Sequence, residues 1–252
     1  MSIPVYVINL DRSRERLKAV KGSAKRFGIA LRRVAAVDGR ALPPSALGDL
    51  DEASFRRLHG KTVMPAEIGC YFSHLKVLDE IAGGNEPCAV IVEDDIEFTA
   101  DFLPFNEALA HIAGWDVVKL VNHRTSLFRR FREVIPGYSI GRCGHGPLGS
   151  SAAYAVTRKG AEKLLEALKP MRLPYDVALE RGWSGNYAIF TADRPLVTFS
   201  REAQSTIAGR AAYARTKLPA WKRIGTLIFR TSDYLRRLAF AWAPVRLTDE
   251  RT

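Results

Sequence analysis

Short apolar runs alternate with longer amphipathic segments along most of the chain. Residues 5–10 and 89–92 are apolar with almost no polar interruption, as is typical of strands buried on both faces of a sheet. Residues 65–81 and 157–168 instead carry apolar side chains at helical spacing. Strands that alternate with helices predict an α/β domain in which helices flank a mostly parallel central sheet.

The strand at 89–92 leads directly into three adjacent carboxylates, Glu93, Asp94 and Asp95. Carboxylates at a strand end repel one another unless water, a cation or cationic side chains compensate their charge. Mg²⁺ and Mn²⁺ prefer oxygen ligands and take only one or two carboxylates at many phosphate-handling sites. The triplet is therefore a candidate metal site, and the alternative is a solvated acidic turn after a core strand.

The first strand is followed by a segment containing Arg12, Arg14 and Arg16. These arginines are candidate phosphate ligands, or alternatively solvated residues of a first helical turn. A second strand at 30–37 ends in a turn, Asp38-Gly39, where glycine is free to adopt a positive φ. The opening contains neither a GxGxxG fingerprint nor a GKS/T loop, which excludes the two commonest phosphate-binding loops.

Three further features allow both a structural and a functional interpretation. His74 lies in the apolar segment 65–81, a pattern that favours a core histidine bonded to a neighbour. Asp176 lies just inside a predicted helix start, where it either favours the helix dipole or acts in catalysis. Residues 121–132 are basic and predict an irregular loop, and the glycine-rich residues 141–149 predict a mobile loop over a site.

Composition narrows the class of protein. The chain has 252 residues, a net charge of +11 and three cysteines, and the cysteines show neither CxxC nor zinc-finger spacing. We therefore expect reduced thiols, a cytoplasmic protein, and a surface that attracts polyanions. The N-terminus lacks a signal-peptide pattern, and no segment approaches the about 20 apolar residues of a spanning helix.

The C-terminal region differs from the rest. Residues 221–230 and 234–242 interleave aromatic and aliphatic side chains with Lys and Arg. This mixture favours a basic amphipathic helix on an anionic membrane surface; the alternatives are a helix docked on the domain and an RNA-binding tail. We predict a domain at 1–208, a C-terminal extension at 209–252, peripheral contact with an anionic membrane, and no nucleic-acid partner.

Several short motifs follow one another at ordinary spacing. In chain order they are Val7-Ile8-Asn9-Leu10-Asp11-Arg12 with Arg16, Ala36-Val37-Asp38-Gly39, Glu67-Ile68-Gly69-Cys70 with Ser73-His74-Leu75, Val92-Glu93-Asp94-Asp95, Ala153-Tyr154-Ala155-Val156 with Gly160-Ala161, and Pro174-Tyr175-Asp176. Together they resemble glycosyltransferase family 25, the lipooligosaccharide galactosyltransferase-like group, over roughly residues 3–207. Ala66 and Val77-Leu78 depart from the family's usual residues.

The resemblance implies a GT-A-like nucleotide-binding domain. Such an enzyme transfers a sugar, typically galactose, from a UDP-sugar to a saccharide or glycolipid acceptor with inversion, in lipooligosaccharide, lipopolysaccharide or related surface-glycan synthesis. It implies Mn²⁺ or Mg²⁺ as cofactor, with Asp95 and Glu93 standing where such enzymes carry their metal motif. The expected location is the inner face of the bacterial cytoplasmic membrane.

Residue roles follow from this reaction. Asp176 is the first candidate for the base that deprotonates the acceptor hydroxyl, and Glu180, one helical turn later, is the second. The predicted donor-binding residues are Asn9, Asp11, Arg12, Arg16, Asp38, Glu67, His74, Asp94 and Tyr154. The alternatives are a metal-dependent nucleotidyl- or phosphotransferase, and a non-catalytic protein that binds polyanions or membranes.

Overall fold

The computed structural model describes residues 3–43, 47–200 and 215–249. The predicted domain boundary at 208/209 and the end of the family resemblance, Gln204 to Ile207, lie outside these residues. Within the described ranges, no helix combines the length and apolar character needed to cross a membrane.

Twelve strands and eight helices make up the described fold. The strands are β1 Val5–Asn9, β2 Leu31–Ala35, β3 Cys88–Glu93, β4 Ile96–Phe98, β5 Ile112–Ala113, β6 Val117–Lys119, β7 Ser126–Ile135, β8 Tyr138–His145, β9 Ala153–Thr157, β10 Ile189–Ala192, β11 Val197–Phe199 and β12 Thr248–Asp249. The helices are α1 Arg14–Arg26, α2 Glu52–His59, α3 Pro65–Ala82, α4 Phe102–Ala110, α5 Arg158–Ala167, α6 Tyr175–Leu179, α7 Gly182–Gly185 and α8 Ile224–Trp242, and a 3₁₀ turn, Ala220–Arg223, precedes α8.

Eight strands form the central sheet, in the order β2-β1-β3-β9-β6-β10-β8-β7. The strands β1, β2 and β3 are parallel, as are β6 and β10. Because β9 and β8 run antiparallel to both of their neighbours, the sheet is mixed, and the prediction of a mostly parallel sheet is corrected. The α/β class itself is confirmed.

A β-hairpin replaces two predicted loops. Residues 121–132 and 141–149 were expected to be irregular, but β7 and β8 pair antiparallel through most of this region. Gly137, with φ +80°, lies in the turn between the two strands, where a positive φ favours glycine. Residues 121–125, before β7, and residues 146–149, between β8 and β9, lie outside the strands.

Helices cover both faces of the sheet. On one face Val20 of α1 and the buried rings of α4, Phe102 and Phe105, pack against the sheet. On the other face α3 and α5 contribute Tyr71, Leu78 and other fully buried side chains. Since β1 and β3 are buried on both faces, their sequences are apolar up to their last residues, Asn9 and Glu93.

The C-terminal helix α8 docks on this domain by one face. The guanidinium of Arg142 on β8 donates to the carbonyl oxygen of Phe240 at 2.9 Å and lies 3.8 Å from the centroid of the Phe240 ring. Arg181 and Asp233 form an ion pair at 2.7 Å. The opposite face of α8 exposes Leu227 and Leu235, at 68% and 59%.

Candidate functional site

A cleft opens at the carboxyl ends of the parallel strands β1, β2 and β3. It is lined by Asn9 from β1, by the residues that follow β2, by α3, and by the acidic triplet at the end of β3. In open α/β sheets, ligands bind in the crevice beyond the carboxyl ends of the strands. The cleft is therefore the candidate functional site.

Two glycines allow one wall of this cleft to form. A Cβ on Gly39 would lie 1.8 Å from the carbonyl oxygen of Pro65, and one on Gly69 would lie 2.6 Å from that of Val37. The Ser73 hydroxyl accepts a hydrogen bond from the Val37 amide at 2.8 Å. Because side chains would not fit between them, glycine at both positions lets the turn after β2 pack directly on α3.

Arg12 and Asp38 form an ion pair at the rim of the cleft. The Arg12 side chain, and then the Arg40 amide at 3.1 Å, donate to Asp38 and hold its pKa below the usual range. Both side chains of the pair line the cleft. A charged ligand that entered here would meet an arginine and an ionised carboxylate side by side.

Asp94 is engaged by the protein on both oxygens. Asn9 donates to Asp94 Oδ2 at 2.6 Å, and Arg16 lies 2.6 Å from Asp94 Oδ1. Burial nevertheless raises the pKa of Asp94. These contacts fix Asn9 and Arg16 against the triplet, so Asp94 organises the cleft floor.

Asp95 is less completely compensated. Arg16 lies 3.0 Å from Asp95 Oδ2, but Oδ1 is buried and has no hydrogen-bond partner among the described residues. Burial, followed by the negative charge of Glu93, raises the pKa of Asp95 to about 7. A buried carboxylate oxygen without a partner, at the edge of a cleft, is suited to a cation.

Glu93 is held by a chain of polar side chains. It accepts a hydrogen bond from Ser151 at 2.8 Å and lies 3.3 Å from His74 Nε2. His74 Nδ1 lies 3.1 Å from the Tyr154 hydroxyl, which lies 2.7 Å from that of Tyr175. Burial tends to raise the pKa of Glu93, but the hydrogen bond and charge of His74 outweigh it and lower the pKa.

Cys70, His74 and Glu93 offer ligand atoms within 4.8 Å of one another. Burial raises the pKa of the Cys70 thiol well above its usual value, so this sulfur stays protonated. A protonated thiol is a poor ligand, and Mg²⁺ and Mn²⁺ prefer oxygen. For a hard cation, the carboxylates of Asp95 and Glu93 are the better fit.

Asp176 lies near the start of α6, just outside the cleft: it follows Tyr175, whose ring stacks on the cleft-lining His74, and is not itself a lining residue. Burial, followed by the negative charges of Glu93, Asp176 and Asp95, raises the pKa of the Cys70 thiol. Burial, followed by the charge of Glu180, raises the pKa of Asp176. A carboxylate with a raised pKa beside a cleft is a candidate proton acceptor.

Glu180 has a different environment. Its carboxylate lies 2.6 Å from Lys119 Nζ and 3.0 Å from Arg237, and it accepts hydrogen bonds from the Leu148 and Gly149 amides at 2.9 and 3.0 Å. Burial tends to raise its pKa, but Lys119 and Arg237 outweigh this and lower it. Glu180 therefore joins α8 to the loop at 146–149 and has no oxygen left for a substrate proton.

Three predicted donor-binding residues do not line the cleft. Asp11 is exposed and pairs with Arg33. Glu67 accepts a hydrogen bond from the Met64 amide at 2.8 Å, which caps the first turn of α3. Tyr154 is fully buried, and its hydroxyl contacts His74 Nδ1. Asn9, Arg12, Arg16, Asp38, His74 and Asp94 do line it, together with Glu93 and Asp95.

Sequence reasoning missed several residues that support the site. Ser73 and Ser151 hold the cleft wall and Glu93, and Tyr175 stacks on the imidazole of His74 at 4.1 Å between ring centroids. Ser73 and Tyr175 lie inside recognised motifs, so their sequence neighbours carried a signal. Ser151 carried none, because only the pairing of β9 with β3 brings it to Glu93.

Two curated relatives align with more than two thirds of this chain. The Homo sapiens protein "Inactive glycosyltransferase 25 family member 3" is 30% identical over 226 residues, which is 83% of this chain and 37% of that protein. The Danio rerio protein "Procollagen galactosyltransferase 1" is 28% identical over 183 residues, 68% of this chain and 30% of that protein. The chain thus spans about a third of the length of these curated relatives.

The family assignment rests on a match to a family model. Residues 2–179 match the family described as Glycosyltransferase family 25 (LPS biosynthesis protein). The matched region contains the strands that form the cleft, the acidic triplet and Asp176. The resemblance inferred from the motifs is confirmed, and the chain belongs to glycosyltransferase family 25.

Proposed function

We propose that this protein is a glycosyltransferase that moves galactose from UDP-galactose to a saccharide or glycolipid acceptor, with inversion, in the synthesis of lipopolysaccharide or a related surface glycan. The observation that carries the proposal is the buried, unpartnered Oδ1 of Asp95 in a cleft at the carboxyl end of β3. Family membership and the galactosyltransferase named among the relatives support the reaction class and the donor.

The cleft suits a nucleoside diphosphate. Arg12 and Arg16 line it and supply positive charge for the diphosphate. Asp38, beside the close-packed turn after β2, is placed to accept hydrogen bonds from the uridine or its ribose. Arg16 pairs with Asp94 and Asp95, so it links the diphosphate site to the acidic triplet.

Asp95 and Glu93 fit Mn²⁺ or Mg²⁺ through their oxygens. When bound, such an ion neutralises the negative charge that develops on the diphosphate as the bond to the sugar breaks. Glu93 keeps its position through Ser151 and His74, so the protein orients one ligand before an ion arrives.

Asp176 is the proposed base. In an inverting displacement the acceptor hydroxyl attacks the anomeric carbon from the face opposite the diphosphate and loses its proton to a base on that side. Asp176 flanks the cleft, and its raised pKa makes its carboxylate a stronger proton acceptor than an ordinary Asp. The diphosphate leaves with the electron pair of the broken bond.

The outer face of α8 supports a location at a membrane. We define this face by Ile224, Leu227, Ile228 and Leu235, which are 59–68% exposed, flanked by the exposed Arg236. Apolar burial and charge attraction then act together at an anionic lipid surface, which we propose to be the inner face of the bacterial cytoplasmic membrane.

Vesicle flotation tests this location. The protein is expected to float with phosphatidylglycerol vesicles and not with phosphatidylcholine vesicles, and a Leu227→Glu, Ile228→Glu double variant is expected to remain in solution. Equal flotation of the double variant would contradict the assignment of this face. The control is a Glu162→Gln variant, which changes an exposed side chain on α5.

Measurement of UDP release from a panel of UDP-sugars tests the reaction class. We expect release from UDP-galactose in the presence of Mn²⁺, its loss on chelation, and an inverted anomeric configuration in the product. Release of phosphate or pyrophosphate from nucleoside triphosphates would instead support a phosphotransferase or a nucleotidyltransferase. If no donor and acceptor give UDP release, a non-catalytic protein is favoured. The names of some relatives describe those proteins as inactive.

A further inference from the structure

An exposed aromatic pair, His123 and Phe199, lies outside the lining of the cleft. The rings of His123 and Phe199 stack with centroids 5.0 Å apart and an interplanar angle of 24°. His123 is exposed, and Phe199 is 40% exposed. A stacked pair of exposed rings offers a flat apolar surface with a polar imidazole edge.

Phe199 is positioned by β4, the strand that directly follows the acidic triplet. It pairs with Ile96 in the two-stranded sheet of β11 and β4. The amide of the next residue, Ser200, donates to the backbone carbonyl of Asp95 at 2.8 Å. Phe199 therefore pairs with the residue after Asp95, and the next residue, Ser200, bonds to Asp95 itself. These contacts hold the backbone of Phe199 next to the proposed metal ligand.

His123 is positioned by the loop at 146–149. A Cβ on Gly149 would lie 2.9 Å from His123 Cδ2, so the loop at 146–149 packs closely against the imidazole. That loop is held in turn by Glu180. Glu180 caps the end of helix α6, whose first turn carries the proposed base Asp176, so the imidazole contacts a loop that α6 holds in place.

We infer that the His123–Phe199 pair is the platform on which a pyranose ring of the acceptor saccharide stacks. The inference rests on the proposed function, because it explains how an acceptor hydroxyl is held between Asp95 and Asp176. Pyranose rings present an apolar C–H face that packs on aromatic rings, while their hydroxyls remain free for polar partners. Rigid rings bind with little loss of conformational entropy.

The pair suits a neutral saccharide better than a second nucleotide. The proposed nucleotide cleft, with Arg12, Arg16 and Asp38, is lined by a different set of residues. The platform instead combines an aromatic face with an imidazole that exchanges hydrogen bonds with hydroxyl groups. Stacking fixes the plane of the sugar and leaves the choice of attacking hydroxyl to the neighbouring polar side chains.

Saturation-transfer NMR tests the platform without a known acceptor. The probes are the methyl β-D-pyranosides of galactose, glucose and N-acetylglucosamine, added singly to the full chain with UDP and Mn²⁺ and without lipid. We expect saturation of at least one pyranoside, strongest at ring C–H protons of one face, and a loss of about fivefold in affinity in both Phe199→Ala and His123→Ala.

Two variants act as controls. Phe199→Trp keeps an aromatic face and is expected to retain binding, and Trp221→Ala removes an aromatic side chain that is 71% exposed away from the site and is expected to change nothing. Wild-type protein that saturates no pyranoside, or Phe199→Ala and His123→Ala variants that bind as well as wild type, would overturn the inference.

Calorimetry with UDP and Mn²⁺ on the same samples separates this inference from the proposed function. Normal UDP binding with no pyranoside binding refutes the platform and leaves the donor site intact. Pyranoside binding that depends on both rings, without any UDP binding, supports a saccharide platform and refutes the proposed donor.

Discussion

Asp176 and Glu180 are four residues apart, yet their carboxylates have different surroundings. Asp176 is half-buried at the cleft and its pKa is raised, mainly by burial. Glu180 is fully buried and its pKa is lowered, because Lys119 and Arg237 outweigh its burial. The first environment suits a base that gains a proton, and the second suits a permanent negative charge.

Replacement of Asp176 by Asn should therefore affect chemistry more than binding. We expect kcat to fall by roughly 10²–10⁴-fold, as for other general bases, with little change in the affinity for UDP. Since the carboxylate is the active form and its pKa is raised, wild-type activity should fall as the pH drops through that raised pKa and stay level above it. Initial rates over a pH series check both points, and wild-type turnover by Asp176→Asn would remove Asp176 as the base.

Replacement of Glu180 by Gln should affect stability. Loss of one partner of a buried ion pair leaves Lys119 and Arg237 without their counter-charge, and the free energy of unfolding is expected to fall by about 3 kcal/mol. Urea denaturation measures this change. The exposed Glu162→Gln variant is the control, and equal stability of both variants would show that Glu180 carries no structural charge pair.

Residue types alone did not separate these two roles. The sequence placed both carboxylates one helical turn apart and ranked Asp176 first, but it gave no sign of Lys119 or Arg237, which lie far away along the chain. The acidic triplet was identified because its three residues are adjacent. Partners that come together only through tertiary pairing, such as Ser151 with Glu93, were out of reach.

Among the secondary-structure elements, the contact between the turn after β2 and α3 determines the cleft wall. Gly39 and Gly69 belong to two separate motifs, and their backbones meet where no side chain fits. Each motif therefore requires its glycine for packing, in addition to the chemical roles of its other residues.

A Gly39→Ala variant should disrupt this contact. Its Cβ would overlap the Pro65 carbonyl oxygen, so we expect the turn to shift and UDP affinity to fall by at least tenfold. Gly22→Ala, on α1 with no atom within 4 Å of the added Cβ, should instead be neutral or stabilising by up to about 1 kcal/mol. Calorimetry and thermal denaturation of the two variants compare them, and unchanged UDP binding by Gly39→Ala would contradict the packing argument.

The β7–β8 hairpin shows where pattern reasoning failed for elements. The arginines of β7, such as Arg130 and Arg132, and the glycines of β8, such as Gly141, suggested loops. However, β7 lies at the outer edge of the sheet, where polar residues are tolerated. The neighbouring β8 is buried, and its Gly141 leaves room for the ring of Phe128. Strands buried on both faces, such as β1 and β3, were predicted correctly because burial demands apolar residues.

The contact between α2 and α8 should make stability depend on pH. Burial, followed by the charges of Lys61 and Arg230, lowers the pKa of His59 from 6.5 to about 4. The unfolded chain then binds a proton that the folded protein does not, so the stabilisation present above pH 6.5 is lost as the pH falls toward 4.

Between pH 7 and pH 5 this single group should lower the free energy of unfolding by about 2 kcal/mol. Urea denaturation at both pH values measures the difference. A His59→Gln variant lacks the titrating group and should show a correspondingly smaller difference. An unchanged pH dependence in that variant would mean that other groups are responsible.

At the scale of the whole molecule, charge is distributed unevenly. The chain carries +11, yet its cleft gathers Glu93, Asp94 and Asp95 at one strand end. The C-terminal region, for which docking and membrane contact were alternatives, combines a docked face with an exposed apolar and basic face on one helix. Composition identified the amphipathic character of α8, but only the fold shows which side is covered.

The most direct test of the account is UDP binding measured by calorimetry with and without Mn²⁺. We expect Mn²⁺ to raise the affinity of wild-type protein for UDP by at least tenfold. We expect Asp95→Asn to lose this gain, and Glu97→Gln, two residues along and paired with Arg26 at 3.4 Å, to keep it. UDP affinity that is the same with Mn²⁺, without it and in Asp95→Asn would contradict the account.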